Sequence, residues 1–107
     1  MSKFFSSEVV QEELNRMQSL YMEINKMGLL LKPDEKLEQL QKMLQLIDLQ
    51  QTMYMRVTLS DDPEAKQLVK QVRQAATMLG MPPAKIGPQF YDELKRNVQA
   101  MIDQLPT

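Results

Sequence analysis

Side chains that commonly perform chemistry are scarce in this chain of 107 residues. It contains no cysteine and no histidine, which removes thiol nucleophiles, thiolate metal ligands and the commonest general base. The sequence also lacks a phosphate-cradling glycine loop, a nucleophile elbow and a paired-carboxylate motif. We therefore expect no enzymatic activity, no catalytic residues, no cofactor and no bound metal ion.

Asp61, Asp62 and Glu64 are carboxylates close enough in sequence to suggest an oxygen-ligand metal site. Their spacing lacks the glycine and the final glutamate of an EF-hand loop. Together with Pro63 they match a helix start instead. Asp62 suits the N-cap, proline suits the first helical position, and Glu64 suits the positive end of the helix dipole. We interpret the group as the beginning of a helix.

A stretch without acidic residues, 65–91, carries four basic residues. They are Lys66, Lys70, Arg73 and Lys85. The first three recur at helical spacing, which predicts one basic helix face. Such a face is typical of binding to a phosphate backbone, but it also describes an ordinary solvated helix. We favour the solvated face because the net charge of the whole chain is −1.

A helix-turn-helix motif is another interpretation of the same region. Ala76, Gly80 and Ile86 have the spacing of its small, turn and apolar positions. Gly87 and Pro88 fall where the recognition helix would continue, and an internal proline costs about 3 kcal/mol. We therefore do not expect this motif.

The helical periodicity of apolar residues, together with the prolines, glycines and cap residues between the periodic segments, predicts four helices. They cover about residues 7–27, 33–59, 63–79 and 88–105. Ser6 is the predicted N-cap of the first helix, and Gly28 its C-terminal residue with a left-handed backbone. The third helix is expected to bury Leu68, Val72, Ala75 and Leu79. The fold class is therefore all-α. We expect one domain over residues 1–107, a small bundle of about four helices built on a long antiparallel helical hairpin.

The second helix has an apolar arc wider than half its circumference, so it should contact more than one neighbour. Besides its main stripe, an apolar flank rotated by about 100° or more forms a candidate interaction face. The residues of this face are Leu46, Leu49, Met53 and Val57. If the other helices leave the flank uncovered, it would be an exposed apolar strip, and a two-fold homodimer is the commonest way to cover one.

No segment resembles a signal peptide or a membrane span. The longest apolar cluster is Met27–Leu31, far short of the roughly 20 residues that cross a bilayer. We expect a cytoplasmic protein without membrane contact.

Three short motifs occur in the order known from a small, uncharacterised protein family. Phe4–Glu13 is similar to its opening, "FF-x-SE-[IV]-VQ-x-E", and Met55–Asp62 resembles its "KR-x-x-LS-[ED]-D" segment. Gly80–Pro83 resembles its "GM-x-P" connector. The family occurs mainly in cyanobacteria and also in their phages. The chain departs from it at Gly87-Pro88, where the family has a more continuous helix. The resemblance implies an all-helical, soluble protein and carries over no catalytic or binding residues.

These observations favour a protein–protein interaction or adaptor module without catalysis, whose partner is another protein or a second copy of the chain. The alternative is a nucleic-acid-associated accessory factor that uses the basic helix face.

Overall fold

The protein is built from four helices and, in the residues that are described, no strand. The structure is a computed structural model that describes residues 3–78 and 87–106. The helices are α1 (Glu8–Met27), α2 (Pro33–Leu59), α3 (Pro63–Met78) and α4 (Pro88–Asp103). The predicted all-α fold class and the order of the four helices are confirmed. Gly80 and Ile86 of the rejected helix-turn-helix motif lie outside the described residues.

The helix starts follow the chemistry of their first residues. At α3, the Glu64 backbone N–H donates to Asp62 Oδ1 at 2.9 Å, so Asp62 is the predicted N-cap and Pro63 the first helical residue. The prediction for α1 was wrong by one residue, because the N-cap is Ser7. The Ser6 hydroxyl instead donates to the Lys3 carbonyl at 3.2 Å, in the turn that precedes the helix.

The end of α1 is capped by a side chain from α2. Gly28 has φ 76°, which confirms the predicted positive φ, although ψ −159° lies outside the left-handed helical region. Gln39 is buried, and its amide Nε2 donates to the carbonyls of Gly28 at 2.9 Å and Ile24 at 3.4 Å. These bonds satisfy carbonyls that the last turn of a helix otherwise leaves unpaired. The contact fixes the sharp reversal between α1 and α2.

α2 is the central helix and packs against each of the other three. Ion pairs show that α1 runs antiparallel to it, because Glu23 lies near Lys42 and Glu13 lies near Arg56. The predicted antiparallel hairpin and the several neighbours of α2 are thereby confirmed. α4 is also antiparallel to α2, since Tyr91 packs on Tyr54 at 5.7 Å while Lys95, one turn further along α4, lies near Asp48, which precedes Tyr54 in α2.

α1 and α4 occupy nearly opposite sides of α2. Leu40 packs in the core with α4, and Met53 packs in the core with α1. At about 100° per residue these two side chains point about 140° apart around the helix. The three helices therefore form a layer, and the molecule measures 48 × 32 × 19 Å.

Among the described residues, two clusters of buried side chains lie along α2 rather than one central core. Their fully or largely buried members are Val10, Met53, Val57 and Ala65 in the first cluster, and Leu40, Ile47 and Val98 in the second. The first cluster joins α1, α2 and α3, with Phe4 and Phe5 packed against it. The second joins α2 and α4. α3 thus covers one end of the interface between α1 and α2.

The structure corrects the expected interaction face on α2. Met53 and Val57 are only 8% and 4% exposed, and Leu46 and Leu49 are half-buried. The flank is occupied within the single chain, because α1 runs along it and Ala65 of α3 packs over its end. These residues are therefore not an exposed strip that a second copy could cover.

The buried face of α3 also differs from the prediction. Ala65 is fully buried and Val69 packs against the first cluster, whereas Leu68 is 38% exposed. Val72, Ala75 and Leu79 were also expected in the core, and their side chains lie outside the described residues.

Candidate docking groove

A groove opens on one face of the helical layer, between α3 and α4. Its volume is about 340 Å³. The described residues that line it are Met17, Gln50, Met53, Tyr54, Val57, Leu68, Val69, Phe90, Tyr91 and Leu94. The floor belongs to α2, the walls belong to α3 and α4, and Met17 comes from α1. Met53 and Val57 of the floor belong to the first cluster, and Tyr91 and Leu94 of the α4 wall pack against the second, so the groove lies where the two clusters meet.

The α4 wall of the groove is aromatic. The rings of Phe90 and Tyr91 are 5.5 Å apart in an edge-to-face arrangement, and Tyr91 also packs on Tyr54. Burial, followed by the nearby Tyr54 hydroxyl, raises the pKa of Tyr91 above its ordinary value. Tyr91 therefore stays neutral throughout the physiological pH range.

None of the described residues that line the groove is charged. Its single amide side chain is Gln50, which is exposed on α2. Apolar and aromatic walls around one or two polar groups are typical of binding sites for apolar ligands or side chains. Apart from the hydroxyls of Tyr54 and Tyr91 and the Gln50 amide, the described lining is apolar, and the arrangement suits binding.

The charged contacts between α2 and α4 lie on the other side of the layer. Asp48 is rotated about 160° from Gln50 around α2. Lys95 Nζ lies 3.3 Å from Asp48 Oδ1 and donates to Gln51 Oε1 at 2.6 Å. The Gln51 amide in turn donates to Asp92 Oδ1 at 2.9 Å, and this bond is the largest cause of a lowered pKa of Asp92. The network links the two helices and leaves the groove face uncharged.

The predicted basic face is described only in part. Lys66 and Lys70 are exposed on α3, one turn apart. Arg73 belongs to the same helix, but its side chain and the whole of Lys85 lie outside the described residues. The structure thus brings together two of the four predicted residues, on a helix whose other side packs against the first cluster.

Of the three acidic residues at the start of α3, Asp62 has a structural role. Asp62 Oδ2 accepts the backbone N–H of Phe4 at 3.1 Å, in addition to the bond that caps α3. In residues 3–78 and 87–106, no group of three acidic side chains is arranged to hold a metal ion. In the same residues, no helix combines the length and apolar character that crossing a bilayer requires.

Sequence reasoning did not find the groove. Its members were assigned to separate helix faces, and Leu68 was expected to be core. One signal was available: Phe90 and Tyr91 are adjacent aromatic residues, so both cannot point at α2 at once.

The fold and the groove define a small all-helical protein with an apolar groove on one face. Residues 2–105 match the family described as "Domain of unknown function (DUF1825)", and the chain belongs to this family. The match covers nearly the whole chain and confirms membership of an uncharacterised family. No curated protein and no solved structure matches the chain.

Proposed function

We propose that this protein is a protein-binding or adaptor module without catalytic activity, and that the groove between α3 and α4 is its binding surface. The observation that carries the proposal is an uncharged groove with an aromatic wall, lying open on one face of a thin helical layer. Exposed apolar and aromatic surface of this kind marks protein-interaction sites. The absence of histidine and cysteine from the sequence further supports a binding role.

A place in the cytoplasm of a cyanobacterium or of a cell infected by a cyanophage is part of this proposal. It rests on the similarity of the ordered motifs near Phe4, Met55 and Gly80 to a family found mainly in cyanobacteria.

Site-specific photocross-linking tests the binding surface. A benzophenone amino acid replaces Leu68, at the groove wall, or Met55, which is similarly exposed but lies on another side of α2. After irradiation in the native cell, we expect a discrete adduct from position 68 and none from position 55. The cross-linked chain is then identified by mass spectrometry.

A matched pair of glutamine variants supplies the control. Gln50→Glu places a charge on the groove floor, whereas Gln41→Glu places the same charge on the opposite side of α2, since nine residues are half a turn out of phase. Both side chains are exposed, so neither change should unfold the chain. We expect Gln50→Glu to abolish the adduct and Gln41→Glu to preserve it. The proposal would be refuted if positions 68 and 55 gave equal yields of adduct. It would also be refuted if Gln50→Glu left the yield from position 68 unchanged.

A nucleic-acid-associated role is a second candidate, favoured by the exposed lysines of α3. Neither Lys66 nor Lys70 joins an ion pair within the described residues, so both charges are available to phosphate groups. The net charge of −1 for the whole chain weighs against it.

A further inference from the structure

Two leucines in the turn between α1 and α2 are the most exposed large apolar side chains among the described residues. Leu29 is 90% exposed and Leu30 is 100% exposed, whereas Leu31 beside them is half-buried. The positive φ of Gly28 and the bond from the Gln39 amide to its carbonyl fix the chain reversal that presents them. We call Leu29 and Leu30 the leucine tip. Adjacent apolar side chains left fully in water mark a contact surface.

The leucine tip is small and lies at the very end of the α1–α2 hairpin. Lys26 and Lys32 bound the apolar segment on both sides. A stable protein interface of standard size uses roughly 20–30 residues on each side, far more than this short turn presents. A lipid surface needs no matching pocket, because binding to it scales with the apolar area inserted and the charge beside it. The size of the tip therefore favours a lipid surface over a folded partner.

The two lysines beside the leucine tip carry the charge that anionic headgroups attract. Lys26 and Lys32 are exposed, and neither joins an ion pair within the described part of the chain. Residues 24–33 contain these two positive charges and no negative one. A lysine that flanks an inserted apolar residue keeps its ammonium group at the level of the lipid phosphates. The turn thus combines an apolar end with a cationic base.

The acidic residues nearest the tip are directed elsewhere. Glu23 lies 3.8 Å from Lys42 Nζ, on the next helix. Glu35 Oε1 accepts the Lys32 backbone N–H at 3.2 Å, at the start of α2. Asp34 lines a cleft between the start of α2 and the end of α4. The positive charges therefore lie nearest the leucines, which is the arrangement that an anionic surface selects.

We propose that the leucine tip inserts into the surface of an anionic lipid bilayer, with Lys26 and Lys32 at the headgroup phosphates. The contact is peripheral and reversible, so it needs none of the length of a membrane-spanning helix. It replaces the expectation, drawn from the sequence, of a protein without membrane contact. Gln50 of the groove floor lies 17 residues beyond Pro33, about 26 Å along α2, so the groove stays open to another protein.

Co-sedimentation of the full chain with vesicles tests the inference. We expect vesicles of equal parts phosphatidylglycerol and phosphatidylcholine to bind it at least about tenfold more tightly than phosphatidylcholine alone, since each lysine contributes a factor of about five. Leu29→Ser/Leu30→Ser should weaken this binding at least about tenfold. Leu59→Ser is the matched control, because Leu59 is 80% exposed at the other end of α2, and it should change binding less than about twofold.

Charge reversal tests the lysines separately from the leucines. Lys26→Glu/Lys32→Glu should abolish the preference for phosphatidylglycerol. Lys66→Glu/Lys70→Glu changes the net charge equally, but on α3, which begins beyond the far end of α2. This control should retain the preference, because its charges lie more than a Debye length from the tip.

A fluorescence measurement reports insertion directly. The chain has no tryptophan, so Leu30→Trp and Leu59→Trp each introduce a single probe. Anionic vesicles should shift the emission of the probe at position 30 to shorter wavelength and leave that at position 59 unchanged.

A wild-type chain that does not sediment with anionic vesicles would overturn the lipid contact, as would equal binding by Leu29→Ser/Leu30→Ser and Leu59→Ser. Loss of the lipid preference in Lys66→Glu/Lys70→Glu, as complete as in Lys26→Glu/Lys32→Glu, would contradict it as well. The cross-linking experiment at position 68 does not involve the tip, so the groove proposal stands or fails independently.

Discussion

At the scale of single residues, Glu13 and Arg56 form the most buried ion pair in the described part of the chain. Two guanidinium nitrogens of Arg56 lie 2.7 and 2.8 Å from Glu13 Oε1. The Glu13 side chain is only 14% exposed, and its other oxygen is buried without a hydrogen-bond partner. The negative charge of Glu13 is therefore compensated mainly by Arg56, whereas an exposed carboxylate would also be stabilised by water. By contrast, Lys42 bridges Glu23 and Glu38, which are about half exposed.

We predict that Arg56→Ala lowers the free energy of unfolding by about 1–3 kcal/mol, because it leaves a largely buried carboxylate unpaired. Lys42→Ala should cost no more than about 1 kcal/mol, as is usual for exposed pairs. Urea denaturation of both variants measures the difference. Adding Glu13→Gln to Arg56→Ala should restore part of the loss, and equal effects of the two single changes would contradict this account.

At the scale of elements, Asp62 joins two parts of the chain. Its two carboxylate oxygens accept one bond from the start of α3 and one from Phe4, which packs against the first cluster with Phe5. Phe4 and Phe5 are in turn in edge-to-face contact, with ring centroids 4.9 Å apart. One side chain therefore holds both the segment before α1 and the first turn of α3 in place.

We predict that Asp62→Ala destabilises the fold by about 1–2 kcal/mol, the usual cost of a lost N-cap. The exposed neighbour supplies the control, because Asp61→Ala should stay within about 0.5 kcal/mol of wild type. Thermal unfolding followed by circular dichroism measures both. Amide hydrogen exchange of Phe4 should also accelerate in Asp62→Ala alone, and unchanged exchange would show that its bond to Asp62 does not hold the segment.

The basic side of α3 permits a second test at this scale. If Lys66 and Lys70 contact a phosphate backbone, the affinity for duplex DNA should fall with salt, and the logarithmic slope should decrease by about 2 in Lys66→Glu/Lys70→Glu. We expect instead no measurable DNA binding at physiological salt and an unchanged adduct from position 68. Filter binding over a salt series decides between the two. Salt-sensitive binding that the double variant abolishes would favour the nucleic-acid role.

At the scale of the whole molecule, α2 is one continuous helix that contributes to both clusters of buried side chains found among the described residues. Ile47 belongs to the core with α4, and Val57 belongs to the core with α1 and α3. Ten residues of helix separate them by about 15 Å, and the two clusters share no buried residue. The same arrangement makes the molecule thin and leaves the groove between the cores open.

We predict that Ile47→Val and Val57→Ala destabilise the chain additively, to within about 0.5 kcal/mol, because they are far apart and share no neighbours. Ile47→Val alone should cost about 0.5–1.5 kcal/mol. Chemical denaturation of the two single variants and the double variant completes a double-mutant cycle, which measures the coupling free energy between the two positions. A coupling above about 1 kcal/mol would mean that the cores behave as one packed unit.

The amino-acid sequence by itself determined the four helices, their order, the antiparallel hairpin and the capping role of Asp62. These features depend on residues a few positions apart in the chain. Hydrophobic periodicity, prolines and cap residues therefore predict them from the sequence. Tertiary structure alone decided which neighbour covers each flank of α2. Both flanks are apolar, and nothing local distinguishes the one that receives α1 from the one that receives α4. For the same reason Met53 and Val57 became core, Leu68 became part of a groove wall, and Gln39 became the cap of another helix. Each of these outcomes depends on contacts between residues distant in the chain, which the order of residues within one helix does not specify.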